Sequence, residues 1–105
     1  MELIELIPKA TEAEAFLKAM ANRYRLMILC NLHQGERSVT KLQESVGLSQ
    51  SAISQHLARL RADGLVTTRR ESQTIYYSLA TQNVSELIGL LYRLYCAPGA
   101  GPKPR

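Results

Sequence analysis

Most of the chemistry open to this sequence lies in two thiols and one short polar helix face. Cysteine occurs twice, as Cys30 and Cys96, too far apart for the close pairs of a zinc site and too few for a secreted disulfide framework. Any chemistry they carry is redox or regulatory: a thiolate attacks an oxidised sulfur, and a second thiol within reach closes a bridge between the two. A plain disulfide needs Cα atoms about 4.4 to 6.8 Å apart, and extra sulfur atoms span a larger gap. On the residues alone two readings stand open. The cysteines form a redox pair, or Cys30 is a small buried hydrophobe among leucines and Cys96 an inert thiol near a frayed end.

The second set lies in Ser49-Gln-Ser-Ala-Ile-Ser-Gln-His-Leu-Ala-Arg-Leu-Arg61. At about 100° per residue, Ile53, Leu57 and Leu60 fall in one narrow sector and pack the helix onto a core. The opposite face then carries Ser51 and Gln55 centrally, Ala58 and Ala62 further along, and Ser54 and Arg59 on its edges, with Gln50 in the first turn. A helix entering the DNA major groove needs short side chains for close approach. It also needs amide, hydroxyl or guanidinium groups to bond base edges, as Gln55 would to adenine and Arg59 to guanine or phosphate. His56 borders the apolar stripe and reads as partly buried, bonding backbone or phosphate rather than a metal. Further on, Arg69, Arg70, Gln73 and Thr74 are placed to reach phosphate or an adjacent minor groove. A solvated surface helix followed by a solvated hairpin tip is the plain alternative.

The surrounding sequence supplies the elements these residues need. Thr11-Glu-Ala-Glu14 has the form of a capping box and starts a first helix bearing Phe16, Leu17 and Met20. Asn22 caps a second, whose Leu26, Ile28, Leu29 and Leu32 make a broad core stripe ending at Gly35, with Cys30 on that core helix. Ser38 or Thr40 opens a third with Leu42 and Val46. Gly47 turns the chain and Ser49 caps the fourth, so the two form a helix-turn-helix. After Gly64, the segments 65–69 and 75–79 are rich in β-branched and aromatic residues and form a hairpin across Glu71-Ser-Gln-Thr74. A last helix from about Asn83 to Cys96 carries Val84, Leu87, Ile88, Leu91, Leu94 and Tyr95, more apolar surface than a small monomer leaves exposed. The expected fold is mainly α with a β-hairpin, four helices then two strands then a fifth helix, over residues 1–96. The Pro- and Gly-rich tail 97–105 is expected to be disordered.

Length and charge narrow the function. A chain of 105 residues holds one modest core and leaves no room for a separate catalytic domain. Lys and Arg number 13 against 9 acidic residues, for a net charge of +4, which favours a polyanionic partner. The cations crowd Arg59, Arg61, Arg69 and Arg70, and the acids crowd Glu2, Glu5, Glu12 and Glu14. No Gly-rich phosphate loop, triad or paired carboxylates argue for an enzyme. With no secretory or membrane-spanning pattern, a cytoplasmic location without membrane contact is expected. No cofactor is implied.

Four phrases resemble the ArsR/SmtB family of bacterial dimeric repressors, over roughly Ala13 to Cys96. They are Leu17-Lys-Ala-Met-Ala-Asn-Arg-Tyr-Arg-Leu26, the helix-turn-helix from Val39 through Ser54-Gln-His-Leu57, Leu60-Arg-Ala-Asp-Gly-Leu-Val66, and Ile75-Tyr-Tyr77. The resemblance implies a winged helix-turn-helix homodimer joined through its first and last helices. Two reading helices would meet successive major grooves of a pseudo-palindromic operator in double-stranded DNA. Family metal sites use cysteines where this chain has Ser38-Val39-Thr40, or Asp, His and Glu on a last helix that here offers only Glu86, so no metal site is expected. One cysteine on each of the second and last helices is similar to the dithiol subgroup, which senses persulfides, polysulfides or oxidants. Carried over, Cys30 and Cys96 would be the sensor thiols, with reactive sulfur species or oxidants as effector. The competing readings are a family member with no thiol switch, constitutive or metal-responsive, and a protein-interaction module that makes no DNA contact.

Overall fold

In a computed structural model that describes residues 2–96, the helices begin where capping side chains are available, with one exception. The chain opens with a short helix α1 (Leu3–Leu6), a 3-10 turn (Ile7–Lys9) and helix α2 (Ala10–Met20). Thr11 does not start a helix as its capping box suggested. Pro8 sits in the first turn of the 3-10 segment, where its fixed φ suits a helical start, and the backbone runs on through Lys9 into α2. The carboxylate that reaches back belongs to Glu5, which accepts from the Glu2 backbone N–H at 3.2 Å.

The remaining caps fall where they were read. Asn22 accepts from the N–H groups of Tyr24 and Arg25 at 2.9 and 3.1 Å and starts α3 (Arg23–His33). Ser38 accepts from Lys41 at the head of α4 (Val39–Val46), and Ser49 from Ala52 at the head of α5 (Gln50–Ala62). Gly47 takes φ +78° between them, a backbone region that L side chains enter only at a penalty. Helix α5 ends in a Schellman turn. The Leu65 N–H donates to the Leu60 carbonyl at 2.9 Å, that of Gly64 donates to the Arg61 carbonyl at 3.1 Å, and Gly64 has φ +77°. The buried Leu60 and Leu65 close that turn and aim the chain into the hairpin.

The hairpin pairs β2 (Val66–Glu71) with β3 (Thr74–Leu79), Val66 opposite Leu79 and Glu71 opposite Thr74. Glu71 and Thr74, expected in the connecting turn, are therefore the last ladder pair. The turn is Ser72–Gln73, with Ser72 at φ +56°. A short strand β1 (Arg37–Ser38) adds to the far edge of β3, giving the order β1-β3-β2. Two residues carry no readable strand pattern, so the sequence offered no sign of it. Thr81 caps the last helix, α6 (Gln82–Tyr95), one residue ahead of the expected start. The core gathers Ile28, Leu29 and Leu32 of α3, Leu42 and Val46 of α4, Ile53, Leu57 and Leu60 of α5, and Val84 and Ile88 of α6. The tail 97–105 lies outside the described residues, as does Met1.

Candidate nucleic-acid interface and thiol cleft

The burial of Ile53, Leu57 and Leu60 fixes which way α5 faces. Gln50, Ser51, Ser54, Gln55, Ala58, Arg59 and Ala62 are exposed along its other side. His56 is half-buried, its ring 5.9 Å from that of Tyr24. The outward face is thus small and hydrogen-bonding, as passage into a groove requires.

The arginines divide into two kinds. Arg59 is paired with Asp63 one turn on, Nε to Oδ2 at 3.0 Å. Arg69 lies over the Tyr76 ring, 4.8 Å from its centroid, and reaches across β3 to the residue before β1. Its Nε and Nη2 donate to the two carboxylate oxygens of Glu36 at 3.0 and 2.7 Å, and Nη1 donates to Glu71 at 2.9 Å. This bidentate grip, the stronger form of arginine–carboxylate contact, holds the Glu36 carboxyl below its usual range and lifts Arg69 further above its own. Among the described residues Arg61 and Arg70 pair with no carboxylate. Arg70 and Gln73 are exposed on the hairpin. Glu36 was missed by the sequence reading because its partner is 33 positions away.

Cys30 and Cys96 line the same cleft. Both thiols are free and exposed, and both line one cleft of about 450 Å³ with Asn31, His33, Gln34, Ile88 and Tyr92. Cys30 is therefore not the buried core cysteine that its leucine neighbours suggested. Ile28, Leu29 and Leu32 take the core direction of α3, and Cys30 falls on the flank against which α6 packs. Partial desolvation there pushes its thiol pKa up, and the Cys96 thiolate charge adds to the shift. Gly89 of α6 permits this approach, since a Cβ there would stand 3.2 Å from His33 Nε2.

A third surface is apolar. Leu3, Ile4, Leu6, Ile7 and Leu17 are exposed at the N-terminal end, and Leu90, Tyr92, Leu94 and Tyr95 on α6, Ile4 being 75% and Tyr95 66% exposed. Among the described residues no helix is long and apolar enough to cross a membrane, and no group of three His, Cys, Asp or Glu is placed to hold a metal ion.

Residues 22–68, from the cap of α3 to β2, match the family model described as bacterial regulatory protein, arsR family. The chain is 53% identical over 96 residues to the transcriptional activator HlyU of Vibrio cholerae, covering 91% of this chain and 89% of that protein. The structure described as reduced HlyU superposes with a TM-score of 0.85 over 90% of this chain and all of that one. The transcriptional repressor BigR of Xylella fastidiosa superposes with a TM-score of 0.86 at 36% identity, over 92% and 99% of the two chains. A homodimeric winged helix-turn-helix DNA-binding domain from Mycobacterium bovis gives 0.71 at 36% identity, over 81% and 82%. The expected winged helix-turn-helix is the fold of these proteins.

Proposed function

The chain belongs to the arsR family of bacterial regulatory proteins, and from that premise we propose a dimeric regulator whose hold on DNA is set by the state of Cys30 and Cys96. It is a DNA-binding transcriptional regulator. In the proposed complex α5 lies in the major groove. Ser51 and Gln55 meet base edges, Gln55 suiting the paired donor and acceptor of adenine, while Gln50, Ser54 and His56 bond the flanking phosphates. Arg59 joins them on leaving Asp63. Arg70 and Gln73 extend the contact from the hairpin, and Arg69 reaches the backbone only by releasing Glu36 and Glu71. Two copies pair through the exposed apolar residues of the N-terminal segment and α6, and a homodimer is how the Mycobacterium bovis relative is described. Pairing sets two reading helices against half-sites about 34 Å apart.

The observation that carries the switch is the shared cleft, which brings into one solvent-accessible space two thiols from distant parts of the chain. In it, the Cys96 thiolate attacks the outer sulfur of a low-molecular-weight persulfide RSSH and expels RS⁻, leaving a Cys96 persulfide. Cys30 gives up its proton and attacks the inner sulfur, Cys96 Sγ, closing the disulfide and expelling HS⁻. Two protein thiols and RSSH thus become one disulfide, RSH and H₂S. Cys30 takes the second step in this scheme, because its raised pKa leaves it little thiolate with which to begin. A bridge would tie α3, which carries the core beneath α5, to the end of α6. The test is intact-protein mass spectrometry after exposure to a persulfide donor. A loss of two hydrogens, or added sulfur linking peptides that contain Cys30 and Cys96, is expected. Two unmodified thiols would sink the switch.

A further inference from the structure

Between α5 and the hairpin runs a second cleft, of about 520 Å³, lined by Ser54, Ala58, Arg61, Ala62 and Tyr77. We infer that this cleft holds one sugar–phosphate strand of the bound duplex, with Arg61 and the Tyr77 hydroxyl as its phosphate ligands and Arg70 at its outer end. The inference rests on the proposed placement of α5 in a major groove and adds to it a site on the opposite edge of the helix from Arg59.

The geometry of duplex DNA requires such a site. Major and minor grooves are separated everywhere by a phosphodiester strand. A protein with a helix in the one and a hairpin over the other must therefore pass that strand between the two elements. The cleft is the space between them, and its lining suits the task. Ala58 and Ala62 leave room for close approach, Ser54 and Tyr77 supply hydroxyl donors, and Arg61 supplies charge.

Strand alternation sorts the hairpin residues the same way. Side chains two apart share a face, so Val66, Thr68 and Arg70 of β2 lie with Ile75, Tyr77 and Leu79 of β3. Val66 is buried and Tyr77 packs partly against the core, which makes this the face toward α5. Arg69 and Tyr76 lie on the other face, where Arg69 is held by Glu36 and Glu71. Of the four arginines on α5 and β2, the two without a carboxylate, Arg61 and Arg70, thus both lie on the cleft side. The arginine that is neutralised points away from it.

The experiment measures the salt dependence of binding to a duplex selected by the wild-type protein from a random-sequence pool, and to a scrambled duplex of equal length. For Arg61→Ala the slope of log K against log salt should fall by about 1, the value for one phosphate contact. The loss of affinity between 50 and 200 mM salt should then be about threefold smaller than for wild type. The slope should fall equally on both duplexes, leaving their affinity ratio unchanged. Arg61→Lys should restore the slope, and Tyr77→Phe should weaken both duplexes without altering it. Arg61 is exposed, and equal thermal unfolding of the variants checks that the fold is kept. If wild type binds with a steep slope and Arg61→Ala matches it in slope and affinity, the cleft does not hold the strand and only this inference falls. If wild type binds no duplex in a salt-dependent way, the DNA reading falls and takes the inference with it.

Discussion

The face built from α5 and the hairpin and the face built from the N-terminal segment and α6 are both exposed, yet they solve opposite problems. On the first, apolar residues are withdrawn into the core and the surface is left to Ser51, Ser54, Gln55, alanines and arginines. On the second, Leu3, Ile4, Leu90, Leu94 and Tyr95 stay in contact with water, though burying apolar surface is worth roughly 25 cal/mol per Å². A face that gains by desolvation calls for an apolar partner, and one that offers hydrogen bonds and unpaired cations calls for a polyanion. The thiol cleft belongs to neither. It lies where α6 packs on α3, so a bond formed there touches both the helix of the apolar face and the core that orients α5.

The sharpest way to break this contrast is to make the apolar face polar. Leu90→Glu with Leu94→Glu should give a folded monomer by analytical ultracentrifugation. Because linked binding of two half-sites raises affinity by about 10² to 10⁴, its affinity for a two-half-site duplex should fall by at least about 100-fold. A monomeric wild type would show that this face has another use. Next in size, Leu57→Ala removes a side chain that is 1% exposed beneath the reading face and should cost about 2 to 5 kcal/mol in urea unfolding. Gln55→Ala should leave unfolding unchanged while losing about 1 to 3 kcal/mol of discrimination between selected and scrambled duplex. Smallest is an effect at the thiols. Burial and the Cys96 charge both raise the Cys30 pKa, and a raised pKa means that alkylation of Cys30 keeps accelerating with pH beyond the usual thiol range. Cys96→Ser removes the charge contribution and leaves burial, so the alkylation profile should move slightly toward lower pH. An unmoved profile would mean that the two sulfurs do not sense each other.

How far the sequence could be read depended on how local each determinant is. Asn22, Ser38, Ser49, Gly47 and Gly64 act within four residues of themselves, and each cap or turn stands where the residue type placed it. The packing stripe of α5 was equally readable, because helical period alone sorts Ile53, Leu57 and Leu60 from the rest. Thr11 misled because Pro8 and Lys9 had already started the turn. Cys30 stayed open between core and surface because a broad apolar stripe tells which side of a helix is core but not where its edge falls. The grip of Glu36 on Arg69 and the seating of Tyr77 opposite Arg61 depend on strand register and on the packing of α5 against the sheet. Neither has a local signature. Arg59, Arg69 and Arg70 stood out from sequence as the cationic contacts; the pairing of Arg69 with Glu36 spans 33 positions, whereas Arg59 pairs with Asp63 one helical turn on.

Whether the thiol cleft governs the reading face is decided by the affinity of wild type and of Cys30→Ser for the selected duplex, each with and without a persulfide donor. The donor should change wild-type affinity, a reductant should restore it, and Cys30→Ser should bind equally well under both conditions. A donor effect of the same size in both proteins, or none in wild type whose thiols are shown to be bridged, would show that the cleft does not govern that face.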